Sequence, residues 1–363
     1  MNYKGHLATF SQNRVWRTYT GGKILDQMNG AETPEDTHFP EDWIGSTTRA
    51  INLGREDILE GLSEATIANE QVKFDQLIKQ DPAYFLGKEH VEAFDLNPML
   101  LVKYLDSSVR LHFQAHPTAE FAQQYLNSKC GKAEAYYVLE AREEIAEPYI
   151  YLGFQQPPTR TDFKNMIETQ NIEAMENCFE KIKIKPGDCF YIPGGMPHAI
   201  GEGILIIEIM EPSDLAVRFE FSKSGYTMPE EARFMKKGLD FCLDVFDYQQ
   251  YSVDDIRKQY QQSPDVVRQY NAQSQKVSLI DATTTPSFRV CKSTVMGTVE
   301  KAEDDFYIGI VTKGNCIITC GDETLHLSQY DKFFCPAGID SITIESELGT
   351  EILECYPPEV TTA

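Results

Sequence analysis

Four side chains of metal-binding type fall in three short segments of this chain. Gln114 and His116 lie in RLHFQAHP, Glu134 in CGKAEAYYVLEA and His198 in IKPGDCFYIPGGMPHAIGEG. Gln114 and His116 are two apart, and residues i and i+2 of a β-strand face the same side, so both can reach one ion. Pro117 then ends the strand. Glu134 follows eighteen residues after His116, at the start of an aromatic and β-branched run that reads as a strand. His198 enters from a turn in which Pro193, Gly194, Gly195 and Pro197 restrict the backbone. A pocket of two imidazoles with oxygen donors suits a divalent transition metal, zinc first.

The elements needed to hold those residues are mostly strands. MLLVKYLD, VRLHFQAHP, EAYYVLEA, CFYI, ILIIEIME and LAVRFEF read as strands between Gly and Pro turns. TAEFAQQYLNSKCG reads as a short helix capped by Thr118. PPTRTDFKNMIETQNIEAMENCFEK interrupts the strands with two short helices. Near the N-terminus, VWRTYTGGKILDQM predicts a strand, a Gly-Gly turn and a second strand, and EATIANEQVKFDQLIKQDPAYFLG predicts mostly helix up to Asp81-Pro82. The stretch from about 228 to 272 reads as largely helical, with strands resuming at KVSLI. Antiparallel strands in this order point to a sandwich or barrel. PGDCFYIPGGMPHAI also aligns without gaps to SQYDKFFCPAGIDSIT, matching Asp188 with Asp331, Phe190 with Phe333, Pro193 with Pro336 and Gly195 with Gly338, while Ser341 stands where His198 stands. Two related β-domains, only the first with a metal histidine at this turn, are expected.

Bulk properties narrow the function. The 363 residues suffice for two or three domains. A net charge of -23 argues against binding a phosphate backbone, which needs clustered Lys and Arg. No apolar run is long enough for a membrane span, and the N-terminus lacks a signal-type apolar core. Nine scattered cysteines read as reduced thiols in a cytoplasmic protein, with Cys316 and Cys320 as small buried hydrophobes. An anionic substrate would need a local positive pocket against this global field.

Gly187, Pro193, Gly195 and His198 are spaced as in the second cupin motif. With QAHP and GKAE upstream and EIMEPSDLAVRF downstream, the chain resembles the class I mannose-6-phosphate isomerases, zinc-dependent aldose–ketose isomerases built of two cupins. The specific motifs span about Met99 to Phe221. The resemblance implies a mainly β fold of two jelly-roll-like cupin barrels. A metal-binding catalytic domain would cover 1–227 with a helical insertion near 155–181, a helical connector 228–276, and a second cupin-like domain 277–363. It implies one Zn2+ per chain on Gln114, His116, Glu134 and His198. It implies catalytic roles for Lys132, Glu208 and Arg218, and matches Lys103 to a lysine upstream of the Gln-x-His strand, placed against the substrate; His112 shares the strand face of Gln114 and is expected at the same pocket. His112 departs from the small hydroxyl residue common at its position, and FEFSKSG after Arg218 replaces the Gly and Thr-Pro-Lys run of some members.

The implied reaction interconverts mannose 6-phosphate and fructose 6-phosphate through an enediol. A proton leaves the carbon beside a carbonyl and returns to its neighbour, and a divalent cation would stabilise the charge that develops on oxygen. Glu208, Lys132 and the histidines are all candidates to move the proton. Arg218 offers a fork of donors to an oxygen-rich or phosphorylated sugar. Other expectations remain open: an isomerase or epimerase of another sugar, and a non-catalytic zinc-containing sugar-binding cupin. The partner is a small molecule in each case, with neither nucleic acid nor membrane; monomer and dimer are equally compatible with the sequence.

Overall fold

Period-two alternation sorts the side chains of the strands onto two faces, and this builds the layers that enclose the site. The computed structural model describes residues 3–360. It is mainly β, with all named strand pairs antiparallel. A six-stranded sheet runs in the order Cys189–Ile192, Glu134–Ala141, Ile204–Met210, Leu101–Ser107, Glu41–Ile44, Arg14–Val15. A five-stranded sheet runs Ile182–Lys183, Tyr149–Leu152, His198–Ile200, Gln114–Ala115, Val217–Arg218. Among the described residues neither sheet closes on itself into a hydrogen-bonded barrel; the expected first barrel is a two-layer sandwich.

Leu105, Tyr136, Val138, Ile204 and Ile206 of the larger sheet pack with Ile150, Leu152 and Ile200 of the smaller one. The opposite face of the larger sheet, including Val102, Tyr104, Ala135, Ile207 and Ile209, packs on Ile308, Ile310, Phe334 and Leu353 of a third sheet. The outer face of the smaller sheet, including Phe113, Ala115, Val217 and Phe219, lies on Phe163 and Ile167 of the helix Arg160–Thr169 and on Leu243 and Phe246. Parity then decides the rest. Lys103, Glu134 and Glu208 share the face of the residues that look toward the smaller sheet, and Gln114, His198 and Arg218 share the face that looks back. These six polar residues therefore project between two apolar-lined layers, where an unpartnered polar group is costly.

The third sheet has ten strands and carries the C-terminal half from Asp265–Asn271 to Ile342–Tyr356. Three strands from the N-terminal part, Ala8–Phe10, Glu64–Ile67 and Glu70–Lys73, extend it, with Ala8 opposite Phe334. The N-terminal segment thus ties the two halves of the chain into one sheet.

The internal repeat is visible in hydrogen bonds. Asp188 accepts from Lys185 N at 3.0 Å, and Asp331 accepts from Ser328 N at 2.7 Å. Met196 N donates to Pro193 O, and Ile339 N donates to Pro336 O. Each copy places the residue before its Asp at positive φ, Gly187 at 91° and Tyr330 at 75°.

Three expected elements differ. KILDQM is a helix, Lys23–Met28, rather than a strand. Gly22, at φ 98°, turns the chain into it, and the buried Asp106 carboxylate accepts from Gly22 N and Ile24 N, capping the helix start from a distant strand. EATI and EQVK form a hairpin before the helix Phe74–Gln80. The segment expected to be helical up to about 272 holds the helix Val253–Tyr260, closed by a Ser252/Asp255 capping box, but ends in the strand Asp265–Asn271. Thr118 caps the helix Ala119–Tyr125 as expected, accepting from Phe121 N. Cys316 and Cys320 are buried apolar contacts in the third sheet.

Candidate metal centre and substrate cleft

Strand register lines the site residues into two facing rows. In the five-stranded sheet Leu152, His198, Gln114 and Arg218 stand side by side on successive strands. In the six-stranded sheet the row is Tyr136, Glu208, Lys103 and Trp43. Glu134 is two residues before Tyr136 and opposite Ile192. His116 lies just past its strand and is fixed by close backbone packing. Gly195 N donates to His116 O at 2.6 Å and Lys132 N to Pro117 O at 3.1 Å. A Cβ on Gly194 would sit 2.7 Å from the Thr118 backbone, so only glycine lets the His198 turn close against this segment.

His116, Glu134 and His198 bring one donor atom each within 4.8 Å of one another, and all three are essentially fully buried. Both imidazoles have a fixed tautomer. His116 Nδ1 donates to Leu215 O and His198 Nδ1 to Met196 O, each at 2.8 Å. A carbonyl can only accept, so the proton sits on Nδ1 and Nε2 carries the lone pair that faces Glu134. Burial, then the nearby Lys132, hold His116 at about 3, and burial lowers His198. Burial opposes ionisation of Glu134, but Lys132, His116 and His198 outweigh it and keep the carboxyl well below its usual range. Neutral imidazoles and an ionised carboxylate are the states in which these groups bind a metal. Gln114 brings its amide to 3.3 Å from His198 Nε2. Half a turn of that amide offers its oxygen to the same point.

Glu134 provides the test of whether a cation fits. Its Oε2 accepts from Tyr136 OH at 2.7 Å. Its Oε1 is buried, 2.7 Å from Lys132 Nζ and 3.1 Å from His116 Nε2, and takes a well-directed hydrogen bond from neither. A buried carboxylate oxygen and two unprotonated imidazole nitrogens, with Lys132 Nζ 3.2 Å from His116 Nε2, converge on one point, a donor set that fits a divalent ion such as zinc.

A small polar cleft, about 60 Å³ in volume, adjoins this centre. Six of the nine expected residues line it: Lys103, His112, Gln114, Lys132, Glu208 and Arg218. The other three, His116, Glu134 and His198, form the buried cluster behind them. Lys103 is 2% exposed and pairs with Glu208 at 2.8 Å, so the ion partner of Glu208 is Lys103 and not Arg218. Burial, then the Glu134 charge, raise the Glu208 carboxyl despite Lys103. Arg218 is half-buried and has no carboxylate within ion-pair distance among the described residues. His112 donates from Nδ1 to Glu220 O and lies 3.0 Å from Thr18 Oγ1; burial, then Arg218, lower it to about 4.

Sequence reading missed a buried network at the far wall. Glu41 accepts from Tyr19 OH at 2.6 Å, Trp43 Nε1 at 2.7 Å and Arg17 Nε at 2.9 Å, and lies 3.6 Å from Lys103 Nζ. Arg17 also pairs with Asp214 at 3.2 Å. The available signal was charged residues inside apolar strand patterns, Arg17 in VWRTY and Glu41 in EDWIG.

Fold and site together define a mainly β protein whose two facing sheets hold a candidate metal centre beside a polar cleft. The chain is 26% identical over 358 residues to the mannose-6-phosphate isomerase of Streptococcus mutans, covering 96% of this chain and 98% of that one. It is 34% identical over 119 residues to mannose-6-phosphate isomerase ManA of Bacillus subtilis, a match spanning 33% of this chain and 36% of that relative's length. No family model matches the chain. Among solved structures, the mannose 6-phosphate isomerase from Bacillus subtilis superposes with a TM-score of 0.69 at 21% identity, covering 96% of this chain and 99% of that one. A mannose 6-phosphate isomerase bound with zinc and yttrium superposes with a TM-score of 0.69 at 13% identity, covering 97% and 100%. The fold is the cupin-type fold of these isomerases.

Proposed function

We propose that this protein is a zinc-dependent aldose–ketose isomerase that interconverts mannose 6-phosphate and fructose 6-phosphate. The observation that carries the reading is one cleft that joins a buried His–Glu–His donor set to Arg218, a cation with no carboxylate within ion-pair distance among the described residues. The relatives and structural neighbours named above support the substrate. Gln114, His116, Glu134 and His198 would hold the ion, whose positive charge stabilises oxygen anions of the reacting sugar.

The residues of this chain supply the rest. Arg218 holds the anionic end of the substrate, its fork of donors matching phosphate oxygens. Lys132 and Glu208 carry the proton from the carbon beside the carbonyl to its neighbour. Burial, then the Glu134 charge, raise the Glu208 carboxyl above its ordinary value, which favours its exchange of a proton. Lys103 and Glu41 are positioning residues that fix Glu208 from the far wall. Reduced buried thiols fit a cytoplasmic protein.

The test is turnover by purified, zinc-loaded protein on mannose 6-phosphate, mannose and several pentoses, with exchange of the C2 proton followed in deuterated water. Exchange with formation of fructose 6-phosphate is expected. Turnover confined to unphosphorylated sugars would replace the substrate, and binding without exchange on any sugar would replace the enzyme by a sugar-binding cupin.

A further inference from the structure

Thr18 and His112 meet on the cleft wall, and the direction of their hydrogen bond sets what that wall can recognise. His112 is 2% exposed. Its Nδ1 lies 2.9 Å from the backbone oxygen of Glu220, which can only accept, so the ring proton is on Nδ1. Nε2 is then the bare nitrogen, and it lies 3.0 Å from Thr18 Oγ1. The Thr18 hydroxyl must therefore donate to the ring. Its proton is committed to His112, and only lone pairs of Oγ1 remain to face the cleft.

An acceptor-only wall discriminates between the two kinds of oxygen on a sugar phosphate. A phosphate oxygen carries negative charge and no proton at neutral pH, so it is repelled by bare lone pairs. A sugar hydroxyl can donate and is attracted. The cationic counterpart is on the same cleft, which Arg218 also lines. The cleft thus has one end built for an anion and one wall built for a hydroxyl donor.

We propose that Thr18, oriented by His112, is a specificity-determining residue that accepts a hydrogen bond from one hydroxyl of the sugar and excludes the phosphate from that wall. The proposal rests on the sugar-phosphate reading above and adds the orientation of the substrate within the cleft.

The experiment compares wild type, Thr18→Val and Thr18→Ser on mannose 6-phosphate and its singly deoxygenated analogues. It reads kcat and KM by turnover and Kd by calorimetry, with a thermal melt of each variant as the folding control. For Thr18→Val, KM and Kd should rise about tenfold, the value of one neutral hydrogen bond to a buried partner, with a smaller change in kcat. Thr18→Ser keeps the hydroxyl and should restore KM to within about twofold. One deoxy analogue should lose about tenfold against wild type and nothing further against Thr18→Val. Equal losses on every analogue, with no rescue by serine, would overturn the proposal in favour of a structural role. An unchanged KM would overturn it outright. Wild type that binds mannose 6-phosphate without turnover would remove the isomerase reading and leave the Thr18 test readable in Kd; wild type that neither binds nor converts it would overturn both.

Discussion

Replacing Glu41 by Gln tests whether the far wall of the cleft is a charge network or incidental packing. Glu41 is 4% exposed and faces two cations, Arg17 Nε at 2.9 Å and Lys103 Nζ at 3.6 Å. Glutamine keeps the shape and one acceptor but removes the charge. Breaking a buried pair by removing one partner costs about 3–5 kcal/mol. The lower end applies, because Arg17 keeps Asp214 at 3.2 Å and Lys103 keeps Glu208 at 2.8 Å. An unfolding entropy of about 2.1 cal/mol/K per residue over the 363 residues gives roughly 0.76 kcal/mol/K, so a loss of about 3 kcal/mol lowers the melting midpoint by about 4 °C. The pH dependence has a definite sign. Burial opposes ionisation of Glu41, but Arg17 and then Lys103 hold its carboxyl far below the usual range. Its contribution is whole above the unfolded value of about 4.3 and fades as pH falls below that value. Differential scanning calorimetry from pH 8 to pH 3 should show parallel midpoints above about pH 5 and convergence in acid. A variant within 1 °C (about one-quarter of that shift) of wild type at pH 7, or a gap that widens in acid, would refute the network.

Other changes separate the roles assigned in the site. Lys132→Ala should retain bound metal and lose turnover by about 10²- to 10⁴-fold, measured by steady-state kinetics alongside elemental analysis. Arg218→Met should raise KM for the phosphorylated sugar by about 100-fold while leaving any activity on the free sugar within a fewfold, because a charge-assisted bidentate contact is lost. His112→Gln reports on acid stability. The histidine is lowered to about 4 by burial and then Arg218. The folded state therefore binds fewer protons than the unfolded one between that value and about 6.5, and wild type loses stability as pH falls through this window, about 2 kcal/mol at pH 5. The Gln variant should lose less over the same range by urea denaturation, and equal losses would return His112 to a group that titrates normally.

The metal-ligand candidates were legible because their signal is local. Strand period singled out Gln114 and His116, although His116 lies just past the strand and is held by backbone packing, and the glycines and prolines before His198 announce a constrained turn. The register that sets Glu208 opposite Lys103, and Lys103 opposite Trp43, is a long-range property, and so are the side-chain contacts that join Arg17, Glu41 and Asp214 from distant segments. The helix Lys23–Met28 escaped because its Gly-Gly entrance resembles a hairpin turn and its cap, Asp106, lies about eighty residues away in sequence. The extension of the third sheet by Ala8–Phe10 and the hairpin of Glu64–Ile67 and Glu70–Lys73 has the same cause: short strands with ordinary composition take their partners from tertiary contacts. The Thr18–His112 contact joins two segments of which only His112 stood out, as an unusual residue type two before Gln114.

X-ray absorption of the zinc-loaded protein at the metal edge, combined with elemental analysis, tests the centre most directly. One ion per chain is predicted, with two imidazole nitrogens at about 2.0–2.1 Å and oxygen ligands at about 2.0–2.2 Å, and with loss of the imidazole signature and of bound metal in His198→Ala. Sulfur scattering near about 2.3 Å, or undiminished stoichiometric zinc in His198→Ala, would contradict a metal held between the two sheets by His116, Glu134 and His198.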